Sequence, residues 1–106
     1  MVTYEEFRKM ELKIATIIDV KPHPQADRLY VLSVDIGGAT KQLVAGIRPF
    51  YSEEALKNKQ IVVVDNLEPA IIRGIESQGM LLAATDEQGI SVLSPDRQVQ
   101  TGSGVK

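Results

Sequence analysis

Asn66-Leu67-Glu68-Pro69-Ala70-Ile71-Ile72-Arg73-Gly74-Ile75-Glu76-Ser77-Gln78-Gly79-Met80 joins two very apolar runs, Ile61–Val64 and Met80–Ala84. Such runs, bounded by turn residues, read as buried strands. Fifteen residues with two glycines, a proline, an arginine and a serine exceed what a hairpin turn needs. The stretch is therefore expected to be one long loop, held by a rigid scaffold and displaying a binding site.

Working outward, the rest of the chain supplies that scaffold. Leu12 to Val20 alternates, which predicts a half-buried strand with Leu12, Ile14, Thr16, Ile18 and Val20 on one face. Lys21-Pro22-His23-Pro24 ends it, because proline cannot donate to a ladder. Leu29–Ile36 and Lys41–Ile47 are the next two strands, and Gly37-Gly38 turns between them. Ser52–Lys57 reads as a short helix, with Ser52 as cap and Glu53 and Glu54 at its positive end. Ile61–Asp65 and Met80–Thr85 are the fourth and fifth strands, and Asp86–Gly89 turns the chain into Ile90–Leu93. Before the first strand, residues 3–9 predict a helix: Thr3 and Glu6 form a capping box, with Val2 and Phe7 spaced as a staple. The order is three strands, a helix and two strands. That predicts an all-β, five-stranded OB-fold barrel with its helix between strands 3 and 4, an N-terminal helix and a C-terminal extension.

Composition bounds the function. The chain has 106 residues, enough for one domain spanning 1–106, and 43 % are apolar, which supports a packed core. No run approaches the ~20 apolar residues of a membrane span, and the acidic N-terminus does not read as a secretory signal. With no cysteine there is no disulfide or thiolate chemistry; a cytoplasmic setting is expected. A net charge of −2 argues against simple electrostatic nucleic-acid binding, but residues 7–48 carry seven basic and four acidic side chains. Catalysis finds little support. His23 is the only histidine, and no Asp-x-Asp cluster offers metal ligands. Ile75 stands where a nucleophile elbow at Ser77 would need glycine, and neither Gly37-Gly38 nor Gly102-Ser103-Gly104 makes a phosphate loop. No cofactor, metal site or catalytic residue is expected.

The groups that remain suit RNA. Folded RNA is met by cations at phosphates and hydrogen bonds to sugars, with soft apolar surface for bases. The 66–80 stretch offers Asn66, Arg73, Ser77 and Met80, and the first loop offers Lys21, His23 and Arg28. Each has a second reading. Met80 suits a core; Ser77, a backbone cap; Asn66, a left-handed turn. His23 suits an exposed loop, and Lys21 and Arg28 suit ordinary solvated charge. Tyr30 falls on an apolar face and reads as core.

Several motifs, in one order, carry a resemblance over nearly the whole chain: Met10–Ile17, His23–Leu29, Val44–Ile47, Asn66–Pro69, Gly74–Ala84 and Leu93–Asp96. The sequence resembles the tRNA-binding domain at the C-terminus of methionyl-tRNA synthetases, in EMAP II-like proteins and in free-standing dimeric tRNA-binding proteins. The resemblance implies the same OB fold and a non-catalytic role: recognition of the outer corner of tRNA by shape and backbone. It places Ser77, Met80 and Asn66 in the tRNA contact region and adds Arg73 beside the first glycine. It also implies a homodimer, with residues 3–9 and 95–106 as dimer segments, and a methionyl-tRNA synthetase catalytic chain as a further partner. Many relatives carry lysines where this chain has Glu68 and Ile71, which predicts weaker and less salt-steep binding. The alternative in another class is a dimeric export-type chaperone, binding unfolded polypeptide on the same barrel. A third is a structural assembly domain without RNA affinity.

Overall fold

The computed structural model describes residues 1–106. A one-turn helix, α1 (Tyr4–Phe7), is capped by Thr3 and Glu6 in the expected reciprocal box. Four long strands follow: β1 (Leu12–Pro22), β2 (Tyr30–Asp35), β3 (Thr40–Ala45) and, after α2 (Glu53–Leu56), β4 (Gln60–Val64). Ser52 caps α2 through the Ala55 N–H. The 66–80 stretch contains β5 (Ala70–Ile72) and β6 (Ile75–Ser77) and leads into β7 (Met80–Leu81). A second small hairpin, β8 (Ala83–Asp86) and β9 (Gly89–Val92), and a tail strand, β10 (Gly104–Val105), complete the chain.

The main sheet runs β3-β2-β1-β4-β7, every pair antiparallel. It curls into a barrel because residues 77–79 return to the far edge of β3. Gln78 donates its N–H to the Gln42 carbonyl at 2.7 Å, and its Oε1 accepts the Gln42 N–H at 2.8 Å. The Ser77 hydroxyl accepts the Val44 N–H at 3.0 Å. Two side chains thus take the place of strand backbone in closing the ring.

The core is a cluster of fourteen buried residues, among them Ile17, Leu32, Leu43, Leu56 and Ile61. Leu56 is the one buried residue of α2, which anchors that helix to the barrel. Tyr30 belongs to the core as expected, and its hydroxyl donates to the Tyr51 carbonyl at 2.7 Å. All five residues of β4 are buried. Val62, Val64 and Ile14 are buried outside the main cluster, so β4 is covered on both faces.

Three expectations change. The inward face of β1 is Ala15 and Ile17 before position 18 and Val20 after it; of the even-numbered set only Val20 joins the main core, and Ile18 is exposed. A bulge between Ile17 and Asp19 inserts one residue against β2, and one residue moves every following side chain to the other face. The expected single loop is in fact a hairpin. Ile72 pairs with Ile75 around Arg73 and Gly74, whose φ values of 51° and 89° make a two-residue turn of the primed kind. The expected fifth strand, Met80–Thr85, divides at Leu82 into β7 on β4 and β8 on β9. The C-terminal extension gains partners within its own chain. β10 pairs with Leu12 and Lys13, and Gln60 exchanges two hydrogen bonds with Val99 at 2.7 and 3.1 Å.

Closure also demands glycine at position 79. A Cβ there would stand 2.9 Å from the Val64 carbonyl oxygen and 3.2 Å from Leu43 Cδ2. Gly79→Ala is expected to cost about 2 kcal/mol through overpacking, lowering the thermal midpoint by roughly 8–16 °C in a domain this size. A calorimetric scan checks this, and an unchanged midpoint would refute the close-approach argument.

Candidate nucleic-acid interface

The structure sorts the seven expected contact residues into three places. Lys21, His23, Arg28 and Arg73 gather at the β1–β2 connection. Asn66 and Met80 lie toward the other end of β1, beside the β4 terminus. Ser77 is inside, between them.

At the first place, two segments distant in sequence are tied together. His23 is buried at 3 % exposure, which corrects the reading of it as an exposed loop residue. Its Nδ1 accepts the Gln25 N–H at 3.0 Å, so Nε2 carries the hydrogen and donates to the Ile72 carbonyl at 3.2 Å. Two prolines fix the chain on either side of it. The ring is thus a pin between the β1–β2 loop and the β5–β6 hairpin. Arg73, at the hairpin tip, adds a second tie from its guanidinium to the Gln25 carbonyl at 3.1 Å. Arg28 and Lys21 are exposed on the same loop region, and Lys21 meets Asp19 at 3.8 Å.

At the second place, Asn66 does not adopt a left-handed turn. Its amide donates to the Lys9 carbonyl at 2.7 Å and its oxygen accepts the Glu11 N–H at 2.9 Å. It fastens the end of the N-terminal segment to the barrel. Met80, 49 % exposed, is not core filling, because pairing with Val64 turns its side chain outward. Beside them Asp65 takes up two cations, with Lys13 at 2.7 Å and Lys41 at 2.6 Å. Burial pushes the Asp65 carboxyl up, but the hydrogen bonds and charges of both lysines outweigh it and hold it below the ordinary 3.8. The hydrogen bond to Asp65, and then its charge, hold Lys13 above the ordinary 10.5. Two of the seven basic residues in the 7–48 region thereby share one carboxylate as their ion-pair partner.

At the third place, the Ser77 hydroxyl is spent. It accepts from Val44 and donates to the Gly79 carbonyl at 2.9 Å, at 4 % exposure. It holds the approach to Met80.

Arg48 was not among the sequence candidates, yet it belongs to the first place. Its guanidinium donates to the Ala26 carbonyl at 3.3 Å and lies over the Tyr30 ring, 6.0 Å from the centroid. The only sequence signal was its place in the basic half of the chain.

A closed five-stranded barrel with its β1–β2 and β4–β7 connections pinned under a rim of arginines is an OB-type oligonucleotide-binding scaffold. A family described as "Putative tRNA binding domain" matches residues 12–104, and the chain belongs to that family of tRNA-binding domains. The methionine–tRNA ligase of Pyrococcus furiosus is 50 % identical over 105 residues, 99 % of this chain and 14 % of that relative. That of Thermococcus onnurineus is 48 % identical over the same share. The chain thus spans about one seventh of the length of these relatives. Among solved structures, a MetRS-related protein from Pyrococcus horikoshii superposes with a TM-score of 0.93 at 30 % identity, covering all of this chain and 98 % of that one. The CsaA chaperone protein of Picrophilus torridus also reaches 0.93, at 28 % identity over the full length of both.

The Asp65 cluster gives a pH test. A depressed carboxylate contributes stability that is present above its unfolded value and lost as pH falls through the folded one. A raised lysine contributes stability present below 10.5 and lost as pH rises through the folded value. Asp65→Asn is expected to cost about 2 kcal/mol at neutral pH, with the gap to the parent closing below the ordinary carboxylate range. Urea titrations between pH 2 and 7 measure this; a gap independent of pH would rule the cluster out as its source.

Proposed function

We propose that this domain is a non-catalytic tRNA-binding module that grips the outer corner of tRNA by shape and backbone. It would act alone or as the appended part of a methionyl-tRNA synthetase, raising the tRNA concentration near a catalytic partner. The observation that carries the reading is the pinned pair of connections with its exposed cations, on a barrel of the tRNA-binding family. In this reading Arg73, Arg28 and Lys21 meet phosphates and Met80 offers a base a soft apolar rest. His23, Ser77 and Asn66 position the segments that carry them. With few exposed rings, base stacking contributes little, which suits folded RNA read by shape.

The module would work as a homodimer in the cytoplasm. Tyr4, Phe7 and Met10 are exposed, and with Leu12 and Val105 they line a groove of about 440 Å³ between α1 and the tail. Its apolar half, edged by Arg8, Glu11 and Lys13, suits a second copy. No helix is long and apolar enough to cross a membrane. The second reading, capture of unfolded polypeptide, is favoured by exposed Leu67, Ile71 and Met80 along the 66–80 segment and by the likeness to the CsaA structure.

Gel-shift titration of tRNA at two salt concentrations, with an unfolded protein as competitor, separates the two. Saturable, salt-weakened binding to several tRNAs that Met80→Ala lowers several-fold is the expected result. Capture of the unfolded protein with no RNA shift would replace this reading with the chaperone. Ser77→Ala leaves the Val44 N–H and Gly79 carbonyl unpaired, so it is expected to lose about 2 kcal/mol of stability together with affinity. A loss of affinity at unchanged stability would instead make the hydroxyl a direct contact.

A further inference from the structure

We infer that Arg28, Arg48 and Arg73 form one phosphodiester-binding site around the β1–β2 loop, with Arg48 as its braced member. The inference deepens the tRNA reading and takes the identity of its ligand from it; the phosphate site itself can be tested without RNA.

Two arginines from separate segments bond one short loop that carries a third. Arg73 comes from the β5–β6 turn and binds the Gln25 carbonyl. Arg48 follows β3 and binds the next carbonyl, that of Ala26. Arg28 lies two residues further along the same loop. Each tethered arginine spends one guanidinium N–H, and a guanidinium has five donors in a fixed fork. The tether fixes the fork without neutralising it, because a carbonyl carries no net charge. None of the three is within ion-pair distance of a carboxylate, although Asp27 shares the loop and Asp19 lies nearby on β1. Lys21 is the one nearby cation with an acidic neighbour.

Two observations give this end precedence over the other. At the Asn66 end Lys13 and Lys41 are both held by Asp65, and Glu68 adds another negative charge. Phosphate there would compete with a carboxylate already paired. At the loop end, Arg73 occupies a left-handed conformation at φ 51°, in a turn that glycine or asparagine fills at less cost. An arginine standing at such a position, with its guanidinium tied to the facing loop, points to use of the side chain. Tyr30 supplies a platform for Arg48: it is 5 % exposed and its hydroxyl is bound to the Tyr51 carbonyl, so the ring beneath the guanidinium is held at both ends. Bidentate phosphate geometry suits arginine and not lysine.

The test uses the whole domain and two ligands. Side-chain Nε–H signals of the arginines are followed by NMR as tripolyphosphate is added at low salt. The expected result is a saturable shift of Arg28, Arg48 and Arg73 together, with Arg8 and Arg97 unmoved; equal drift of all five would overturn the site. In parallel, tRNA affinity is measured against salt for Arg48→Ala, Arg48→Lys and Arg97→Ala. Arg48→Ala is expected to weaken binding about tenfold and to lower the salt slope by roughly one. Arg48→Lys should keep the slope yet recover only part of the affinity, and Arg97→Ala should match the parent. Parent slope and affinity in Arg48→Ala would overturn the proposal while leaving the tRNA reading intact. Tripolyphosphate shifts without tRNA binding by the parent would do the reverse. Arg73→Asn separates function from folding: its thermal midpoint should not fall, while its tRNA affinity should.

Discussion

The structure depends on one closure. A curled sheet with β3 at one edge and β7 near the other has open backbone groups along both, and an open edge is a route to wrong pairing. The segment Ser77-Gln78-Gly79 removes that edge with a hydroxyl, an amide side chain and an absent Cβ, each doing what a regular strand could not do in so small a space. The β5–β6 hairpin stands immediately before this seam and Met80 immediately after it. The displayed residues therefore inherit their positions from the closure, and the sequence motif that looks like a contact surface is first a piece of barrel construction.

That double use explains what could be read from the chain alone. The strand order, both helices, both caps and the core tyrosine follow from local patterning, and the structure keeps them. The inward face of β1 was not legible. The bulge near Ile18 leaves no mark in a run of apolar residues, and alternation says nothing about where the count slips. The β5–β6 hairpin was hidden for a related reason, since its turn uses arginine where asparagine or glycine would have signalled it. His23 and Asn66 were found as polar residues of interest, but their work is long-range. One bonds the carbonyl of residue 72 and the other the backbone of residues 9 and 11. Nothing in a linear reading brings those partners together. Arg48 escaped notice because a single arginine before a proline has no pattern at all.

Charge is redistributed by the fold in a way composition conceals. The basic half of the sequence does not become a basic face. Lys13 and Lys41 are gathered by Asp65 into a part-buried cluster whose value lies in holding β1, β3 and the β4 terminus together. Arg28, Arg48 and Arg73 are left outside it: the first lies on the β1–β2 loop, and the other two bond that loop's carbonyls from separate segments. A mildly acidic protein can therefore keep arginines free of carboxylate partners, even with Asp27 on the same loop.

The tail has a further role that its short length conceals. β2 joins β1 only from Thr16 onward, so without β10 the opening residues of β1 would present a bare flank on that side. Gly102 closes the join by packing its backbone against Gly37 so tightly that either position admits no side chain without displacement. The last residues thus serve as a selvedge, a finished border that keeps the weave from catching on its neighbours. A copy that lost its grip on this border would offer Leu12–Ile14 as a template to another chain, and the first sign would be slow self-association rather than unfolding.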